Sequence, residues 1–256
     1  FSLFGSIWEV AAGGGEARQV TNSPGYHAHP AWSPAGDRIA FIRGSEPGGR
    51  IPNVSGRLVV VDAATGSEQE LDTRRPVAGT LSWSPDGRRI VCPLQVGGSG
   101  ALLHEIDAGN GTAEQIQYGG GASGWADVAW SPRRNEIFFA ARRGPAPQIW
   151  SITPGGPPIA IQMPLTQYRP EDIVMLDRLS ATPDGSAVVY SAVVVNGKGD
   201  YELYRIPREG GKPVAITNTA RDEFSPAVSP DGKRIAHVSN HLGNVDLFTM
   251  PVSGGE

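Results

Sequence analysis

The sequence predicts an all-β fold made of repeated antiparallel sheets, and three observations support this prediction. One short phrase recurs five times at nearly even spacing. A run of β-branched and aromatic residues follows each copy, as expected of buried strands. Gly (34 residues) and Pro (22 residues) are abundant in the 256-residue chain and recur between these apolar runs, so they mark tight turns. Sustained helical spacing of apolar residues is absent from the sequence.

The recurring phrase is a turn that reads Ser/Thr-Pro-Asp-Gly in its most complete form. Pro presets φ at the second position, the Asp side chain can bind the backbone two residues on, and Gly accepts a positive φ. The third copy has Arg133 and Arg134 in place of Asp and Gly, which predicts a different or longer turn. The copies lie at 33–36, 84–87, 131–134, 182–185 and 229–232, with spacings of 51, 47, 51 and 47 residues.

Each repeat also contains a second hairpin with a Gly-rich turn, which gives four strands in about fifty residues. This arrangement predicts a β-propeller of four-stranded antiparallel blades. Five full repeats and an N-terminal half-blade at 1–21 suggest a single propeller domain over 1–256, of the six-bladed type. The incomplete hairpins at both ends favour a longer parent protein, and the alternative is five blades with an extra piece.

The repeats resemble the WD40-like repeats of the TolB type. The resemblance rests on Ser-Pro-Asp-Gly turns, on strands such as Arg38-Ile39-Ala40-Phe41, and on Gly-Gly-Lys at 210–212 before a short strand ending at Thr217. It covers almost the whole chain and implies a bacterial periplasmic or secreted setting. Similar blades also occur in propellers that gate peptidases, in propellers fused to amidohydrolases, and in some metal-dependent lyases.

Composition narrows the classes of partner. A net charge of −4 argues against nucleic acid, which requires a basic surface. No apolar stretch approaches the roughly 20 residues that span a bilayer, so we expect no membrane insertion. The single cysteine, Cys92, lies in an apolar run and is expected to be a buried, inert thiol. No motif calls for a cofactor.

Propellers bind ligands where their inner strands begin, so the residues just before each turn phrase are candidate ligand-binding residues at the channel mouth. Residues four and six positions before the Ser or Thr fall on one face if the strand is regular. His27 and His29 are therefore expected to point the same way. The candidate set at the channel mouth is His27, His29, Trp125, Asp127, Arg178 and Glu223.

Each candidate also has a simpler interpretation. His27 and His29 are weak metal candidates, with Asp127 or Glu223 as a third ligand, but partly exposed polar residues at a strand entrance are the favoured interpretation. The charged candidates can pair with one another. Trp32, Trp83 and Trp130 occupy equivalent repeat positions and are therefore predicted to be core residues rather than a recognition stripe.

The function favoured by the sequence is noncatalytic binding of a protein or peptide at the channel mouth and at the loops 44–56 and 167–177. Long loops on a rigid scaffold commonly hold binding sites. No Gly-x-Ser-x-Gly, Walker or His-Glu-x-x-His motif is present. One alternative is the propeller portion of a larger hydrolase, with further domains in a longer chain. A second alternative is a metal-dependent, lyase-like enzyme with a channel site.

Overall fold

The structure is a computed structural model that describes residues 1–45, 54–97, 100–117, 122–123, 127–142, 147–156, 159–160, 173–194 and 200–254. These residues form strands and turns and contain no helix, so the all-β prediction is confirmed. Every strand pair within its sheets is antiparallel, as predicted. The chain divides into two compact units, Phe1–Ile116 and Gln117–Glu256.

The first unit contains a three-stranded sheet, β1–β3, and a larger sheet in which the first two repeats are joined. The junction is the short strand β8, which pairs with β6 of the first repeat and with β10 of the second. The strands are β1 (Ser2–Leu3), β2 (Ser6–Glu9), β3 (Arg18–Gln19), β4 (Tyr26–Trp32), β5 (Arg38–Gly44), β6 (Ser55–Asp62), β7 (Glu68–Leu71), β8 (Val77–Ala78), β9 (Ser82–Trp83), β10 (Arg89–Val96), β11 (Gly100–Asp107) and β12 (Ala113–Gln115).

The second unit contains one sheet for each of the last three repeats. Two of these sheets have four strands in sequence order, β14–β17 and β18–β21, and the last has three, β22–β24. The strands are β13 (Ala122–Ser123), β14 (Val128–Trp130), β15 (Ile137–Arg142), β16 (Pro147–Ile152), β17 (Ile159–Ala160), β18 (Ile173–Ala181), β19 (Ala187–Val194), β20 (Tyr201–Pro207), β21 (Val214–Ala215), β22 (Glu223–Val228), β23 (Arg234–Ser239) and β24 (Asp246–Pro251).

The first blade is covered on both faces, which explains its continuous apolar strands. Ile39 and Phe41 of β5 pack with Ile7 and Val20 of the β1–β3 region. The alternate residues of β5 belong to the core shared with the second repeat. Since successive side chains of a strand point to opposite faces, one sheet contributes to two cores.

The turn phrase closes the first hairpin of every repeat, because its Ser or Thr N–H donates to the carbonyl five residues on, and its hydroxyl adds further bonds where an Asp is present. In four copies this hydroxyl donates to an Asp carboxylate at 2.6 Å. It also accepts the backbone N–H five residues on, at 2.9–3.0 Å. The donated hydrogen bond lowers the pKa of these carboxyls, to about 2 for Asp184. The Gly of each of these turns has a positive φ, as predicted.

The third turn has the same length as the others, so the longer turn considered from the sequence is not used. The Ser131 N–H donates to the Glu136 carbonyl at 2.8 Å, the same five-residue span as elsewhere. The difference is chemical, because no Asp is available to accept from the hydroxyl. Ser131 Oγ is buried and has no hydrogen-bond partner among the described residues.

The equivalent tryptophans do not all belong to the core. Trp83 and Trp130 are buried as predicted, but Trp32 is 49% exposed, so that prediction is wrong for Trp32. The Trp83 indole N–H donates to the Ala31 carbonyl at 2.9 Å, and the Arg38 guanidinium lies 4.8 Å from its ring centroid. An inner strand of the preceding repeat thus covers Trp83. The β1–β3 region instead packs on β5 and β6, which leaves Trp32 open.

The burial of Cys92 is confirmed. Its side chain is inaccessible, and burial raises the pKa of the thiol well above its ordinary range. The thiolate, which is the nucleophilic form, is therefore suppressed.

The two buried turn serines provide an internal comparison of hydroxyl energetics. Ser84→Ala removes both the bond to Asp86 and the acceptor of the Arg89 N–H, so we expect the free energy of unfolding to fall by about 1–3 kcal/mol. Ser131→Ala removes an unpartnered hydroxyl and is expected to change stability by less than about 0.5 kcal/mol. Urea unfolding followed by circular dichroism measures both, and equal losses would contradict the role given to the hydroxyl.

Candidate functional site

Three of the five inner strands share an irregularity at the place where the sequence predicts binding. His29, Arg178 and Ser225 stand at the same repeat position, four residues before the turn Ser or Thr, and all three have a positive φ of 53–56°. A register shift accompanies each of them, in β4, β18 and β22. Positive φ is costly for residues other than Gly, and bulges redirect side chains. A bulge with a positive φ therefore recurs at three of the strand entrances.

The bulge interrupts the alternation from which we expected His27 and His29 to share a face. Two residues of β4, His29 and Pro30, stand opposite Phe41 of β5. The simpler interpretation expected both histidines to be partly exposed. Both are buried instead, because His27 is 1% exposed and His29 is 9% exposed. The prediction that both imidazoles point the same way therefore stays a prediction, because the regular strand geometry on which it was based is interrupted here.

His27 is part of a buried hydrogen-bond network that the sequence analysis missed. Its Nδ1 lies 2.8 Å from Thr21 Oγ1 and its Nε2 lies 3.3 Å from Ser23 Oγ. The Ser23 hydroxyl donates to Glu68 at 2.9 Å and accepts from Arg43 at 2.8 Å. Glu68 and Arg43 form an ion pair in turn. Thr21 also accepts the Ile7 N–H at 2.9 Å, so the network ties β2 to β4.

The Ser23–His27 pair is not arranged as a nucleophile and a base. Ser23 directs its proton to Glu68, so the Nε2–H of His27 donates to Ser23 and Nδ1 accepts from Thr21. Among the described residues, neither ring nitrogen is hydrogen-bonded to a carboxylate, and His27 is closed to solvent. Burial, followed by the charge of Arg43, lowers the pKa of His27. The arrangement stabilises the strand entrance and lacks the order of partners needed for serine hydrolysis.

The second unit has a matching network around Glu223, the residue equivalent to His27. Glu223 is 3% exposed and lies 2.9 Å from Thr219 Oγ1 through both carboxylate oxygens. The Thr217 hydroxyl donates to Glu202 at 2.6 Å and accepts the Leu203 N–H at 2.9 Å. Burial raises the pKa of Glu202. Thr-Asn-Ser at 21–23 and Thr-Asn-Thr at 217–219 were the sequence signal for both networks.

The remaining site predictions have different outcomes. Asp127 and Arg178 are neighbours, because the Arg178 N–H donates to Asp127 Oδ2 at 3.1 Å. Glu223 binds Thr219 and Ser239 instead of joining this pair. Trp125 lies outside the described residues, as do residues 46–53 and 167–172 of the two predicted binding loops. Convergence of the six candidates on one channel mouth stays a prediction.

The described residues do not bring three His, Cys, Asp or Glu side chains together in a way that could hold a metal ion. In His27, both ring nitrogens already face hydroxyl groups. This geometry gives no support to the metal-dependent alternative.

The first unit has an open groove on the face where β4 and β8 begin. Its larger part measures about 800 Å³, within the range of ligand-binding clefts. It lies between the segment before β4, the β5–β6 hairpin ends and the segment 72–76 before β8. A second part of about 680 Å³ continues from it and shares Gly25, Gly44 and Ser45. Residues 44–45 and 55–56 of the predicted binding loop 44–56 line this groove, but their approach to residues 24–25 and 72–76 was not predicted from the sequence.

Gly44 and Gly56 make the close strand approach beneath the groove possible. They pair with each other at the ends of β5 and β6. A Cβ on Gly56 would overlap the Arg43 carbonyl, and a Cβ on Gly44 would meet Val54 at 2.9 Å. Larger residues at these positions would therefore separate the hairpin ends.

Comparison with known proteins places these features among propellers. No protein-family model matches the chain. It is 37% identical over 84 residues to dipeptidyl-peptidase 5 of Porphyromonas gingivalis, which is 30% of this chain and 12% of that protein. It is 27% identical over 120 residues to a TolB homologue of Chlorobium luteolum, which is 41% of this chain and 28% of that protein.

The crystal structure of TolB from Acinetobacter baumannii matches with a TM-score of 0.76 and 19% identity, over 97% of this chain and 57% of that one. The chain thus spans less than two thirds of the length of these proteins. Antiparallel four-stranded sheets with a common turn define the chain as a protein of β-propeller blades. Its fold is that of TolB-type propellers, which confirms the resemblance seen in the repeats.

The lowered pKa of His27 makes stability depend on pH in a defined direction. Because the folded pKa lies below the ordinary value near 6.5, the unfolded chain binds more protons between the two. Stability is therefore present above pH about 6.5 and is lost as the pH falls toward the folded pKa. We expect His27→Asn to lower the free energy of unfolding by about 1–2 kcal/mol at pH about 7. Between pH about 7 and pH about 5, its free energy of unfolding should then fall by less than that of wild type.

Urea unfolding across this pH range tests the His27 prediction. His241→Asn, at an exposed turn residue, is the matched control for replacing a histidine by asparagine. Identical pH dependence in wild type and His27→Asn would show that His27 does not contribute.

Proposed function

We propose that the chain is a noncatalytic propeller that binds a protein or peptide partner on the face where its inner strands begin. The open groove of the first unit is the observation that supports this best. Turn and hairpin-end residues line it, and a rigid framework of paired strands holds them. Binding residues commonly occupy loops on such frameworks.

The chemistry of the buried candidates also favours binding over catalysis. Ser23 donates its hydroxyl proton to Glu68, and His27 Nδ1 is hydrogen-bonded to Thr21, so the pair is not arranged for catalysis. The Cys92 thiol is buried. The TolB-type resemblance implies an interaction protein and a periplasmic or secreted location in a bacterium. None of the described residues forms a helix long and apolar enough to cross a membrane.

The described sheets support a proposal about their assembly. The three-stranded β1–β3 sheet and the sheets of the five repeats together correspond to six blades. We therefore propose one six-bladed propeller domain, as the repeat spacing predicted.

A larger hydrolase of which this is the propeller portion is the second candidate. The 84-residue similarity to a dipeptidyl-peptidase favours it. That match covers 12% of the peptidase, so the binding function has the broader support.

Selection of peptides on the purified protein tests the binding function. We expect a random peptide library panned on the immobilised chain to yield peptides with roughly micromolar dissociation constants, measured by fluorescence anisotropy. Ser45→Trp should weaken them at least about tenfold, because Ser45 lines both parts of the groove and an indole would fill it.

Ser67→Trp is the matched control, since Ser67 is exposed on a turn and does not line the groove. It should bind like wild type. Failure to enrich any peptide, or full binding by Ser45→Trp, would contradict the proposal. Hydrolysis of peptide p-nitroanilides by the purified chain would contradict the noncatalytic part of the proposal.

A further inference from the structure

The groove of the first unit has one basic end. Four arginines line its larger part together with two carboxylates, and Glu68 pairs with Arg43 beside them, which leaves a surplus of one positive charge. The chain as a whole has a net charge of −4, so this end differs in sign from the average surface. The charged residues that line it are Arg43, Arg57, Arg74, Arg75, Glu70 and Asp72.

The four arginines fall into two classes. Arg43 and Arg57 are held by the strand carboxylates Glu68 and Glu70; the Arg57–Glu70 ion pair measures 2.5 Å. Arg74 and Arg75 are exposed and form no ion pair within the part of the chain that the structure describes. Their guanidinium groups are therefore available to an anionic ligand.

The turn that presents Arg74 and Arg75 is fixed by its own hydrogen bonds. The Arg74 N–H donates to Asp72 Oδ1 at 3.0 Å, and the buried Thr73 hydroxyl donates to the Arg75 carbonyl at 2.7 Å. Pro76 follows and leads directly into β8. A backbone that is already ordered loses less entropy when a ligand binds.

The continuation of the groove is aromatic rather than basic. Phe4 lines the second part and is 91% exposed, and Tyr26 lies beside it. Gly5 lets the Tyr26 ring approach the Phe4–Gly5 turn, since a Cβ on Gly5 would lie 3.0 Å from that ring. Large exposed aromatic side chains commonly anchor partners at interfaces.

We propose that this groove binds an extended acidic peptide segment of a partner protein, with an aromatic side chain on one flank. Carboxylates of the segment pair with Arg74 and Arg75, whose planar guanidinium groups suit bidentate contacts. The aromatic side chain lies against Phe4 and Tyr26. This inference rests on the proposed binding function and adds the chemistry of the partner.

A charge-swap experiment tests the inference. The probes are fluorescein-labelled Gly-Trp-Gly-Ser-Asp-Glu-Asp-Gly, the same peptide in reverse order, and versions in which lysine replaces the acidic residues. We expect wild type to bind at least one acidic peptide and neither lysine peptide. Binding should weaken as NaCl rises from about 0.05 M to about 0.5 M. Arg74→Ala/Arg75→Ala should weaken it at least about tenfold.

Arg74→Glu/Arg75→Glu should reverse the preference toward a lysine peptide, a gain that a misfolded variant cannot show. Arg133→Ala/Arg134→Ala removes the same charge from an exposed turn of the second unit and should leave binding unchanged. An acidic peptide whose affinity does not respond to Arg74 and Arg75 would overturn the inference. Tighter binding of a single-stranded oligonucleotide than of either acidic peptide would also overturn it.

The two proposals fail in different ways. If library-selected peptides bind in a Ser45-dependent manner but neither acidic probe binds, the partner chemistry is wrong and the binding function stands. If neither selected nor designed peptides bind, both proposals fail.

Discussion

A five-residue span, closed in every turn by a backbone hydrogen bond from the Ser or Thr N–H, is the constraint on which the repeated structure depends. In four turns the Ser or Thr hydroxyl strengthens this span by linking an Asp carboxylate to the backbone N–H five residues on, so the second strand of each repeat begins at a constant point. Strand register then follows from a constant starting point. In the first unit, this places Arg38 to donate to the Gly87 carbonyl at 2.8 Å and to lie over Trp83, so one turn sets the packing of the next.

The third repeat shows which part of this arrangement is essential. With Arg133 and Arg134 in place of Asp and Gly, the backbone bond from Ser131 to Glu136 is retained. Glu136 is buried and pairs with Arg208 of a later repeat at 2.5 Å. The five-residue span is therefore the constraint, and the carboxylate strengthens it where Asp is present.

The opposite end of each inner strand is where the repeats differ. Positive φ at His29, Arg178 and Ser225 costs roughly 1 kcal/mol or more per residue, and this strain recurs although the side chains share no chemistry. Because this bulge accepts different side chains, each of these three repeats can present its own group at the strand entrance. The two buried networks, around His27 and Glu223, then stabilise neighbouring strands behind this variable edge.

Sequence periodicity was sufficient to predict the strands, the turns and the propeller class, because these depend on a turn phrase and apolar runs that recur in each repeat. Predictions about exposure were less successful. Trp32 occupies a core position by sequence, yet its exposure depends on which element packs beside β4. His27 was expected to be partly exposed, but it is buried because Thr21 and Ser23 cover both of its ring nitrogens. The loop 44–56 was predicted to bind, but the groove it helps to form was not, because residues 24–25, 43–45 and 72–76 meet only in three dimensions.

Hydrogen–deuterium exchange on the chain with and without the acidic peptide tests the location of binding most directly. The account predicts slower amide exchange in residues 24–25, 44–45, 55–57 and 72–75, with the rest of the first unit unchanged. Protection centred on residues 176–178 and 223–225 instead, or no protection at saturating peptide, would contradict the assignment of the groove as the binding site.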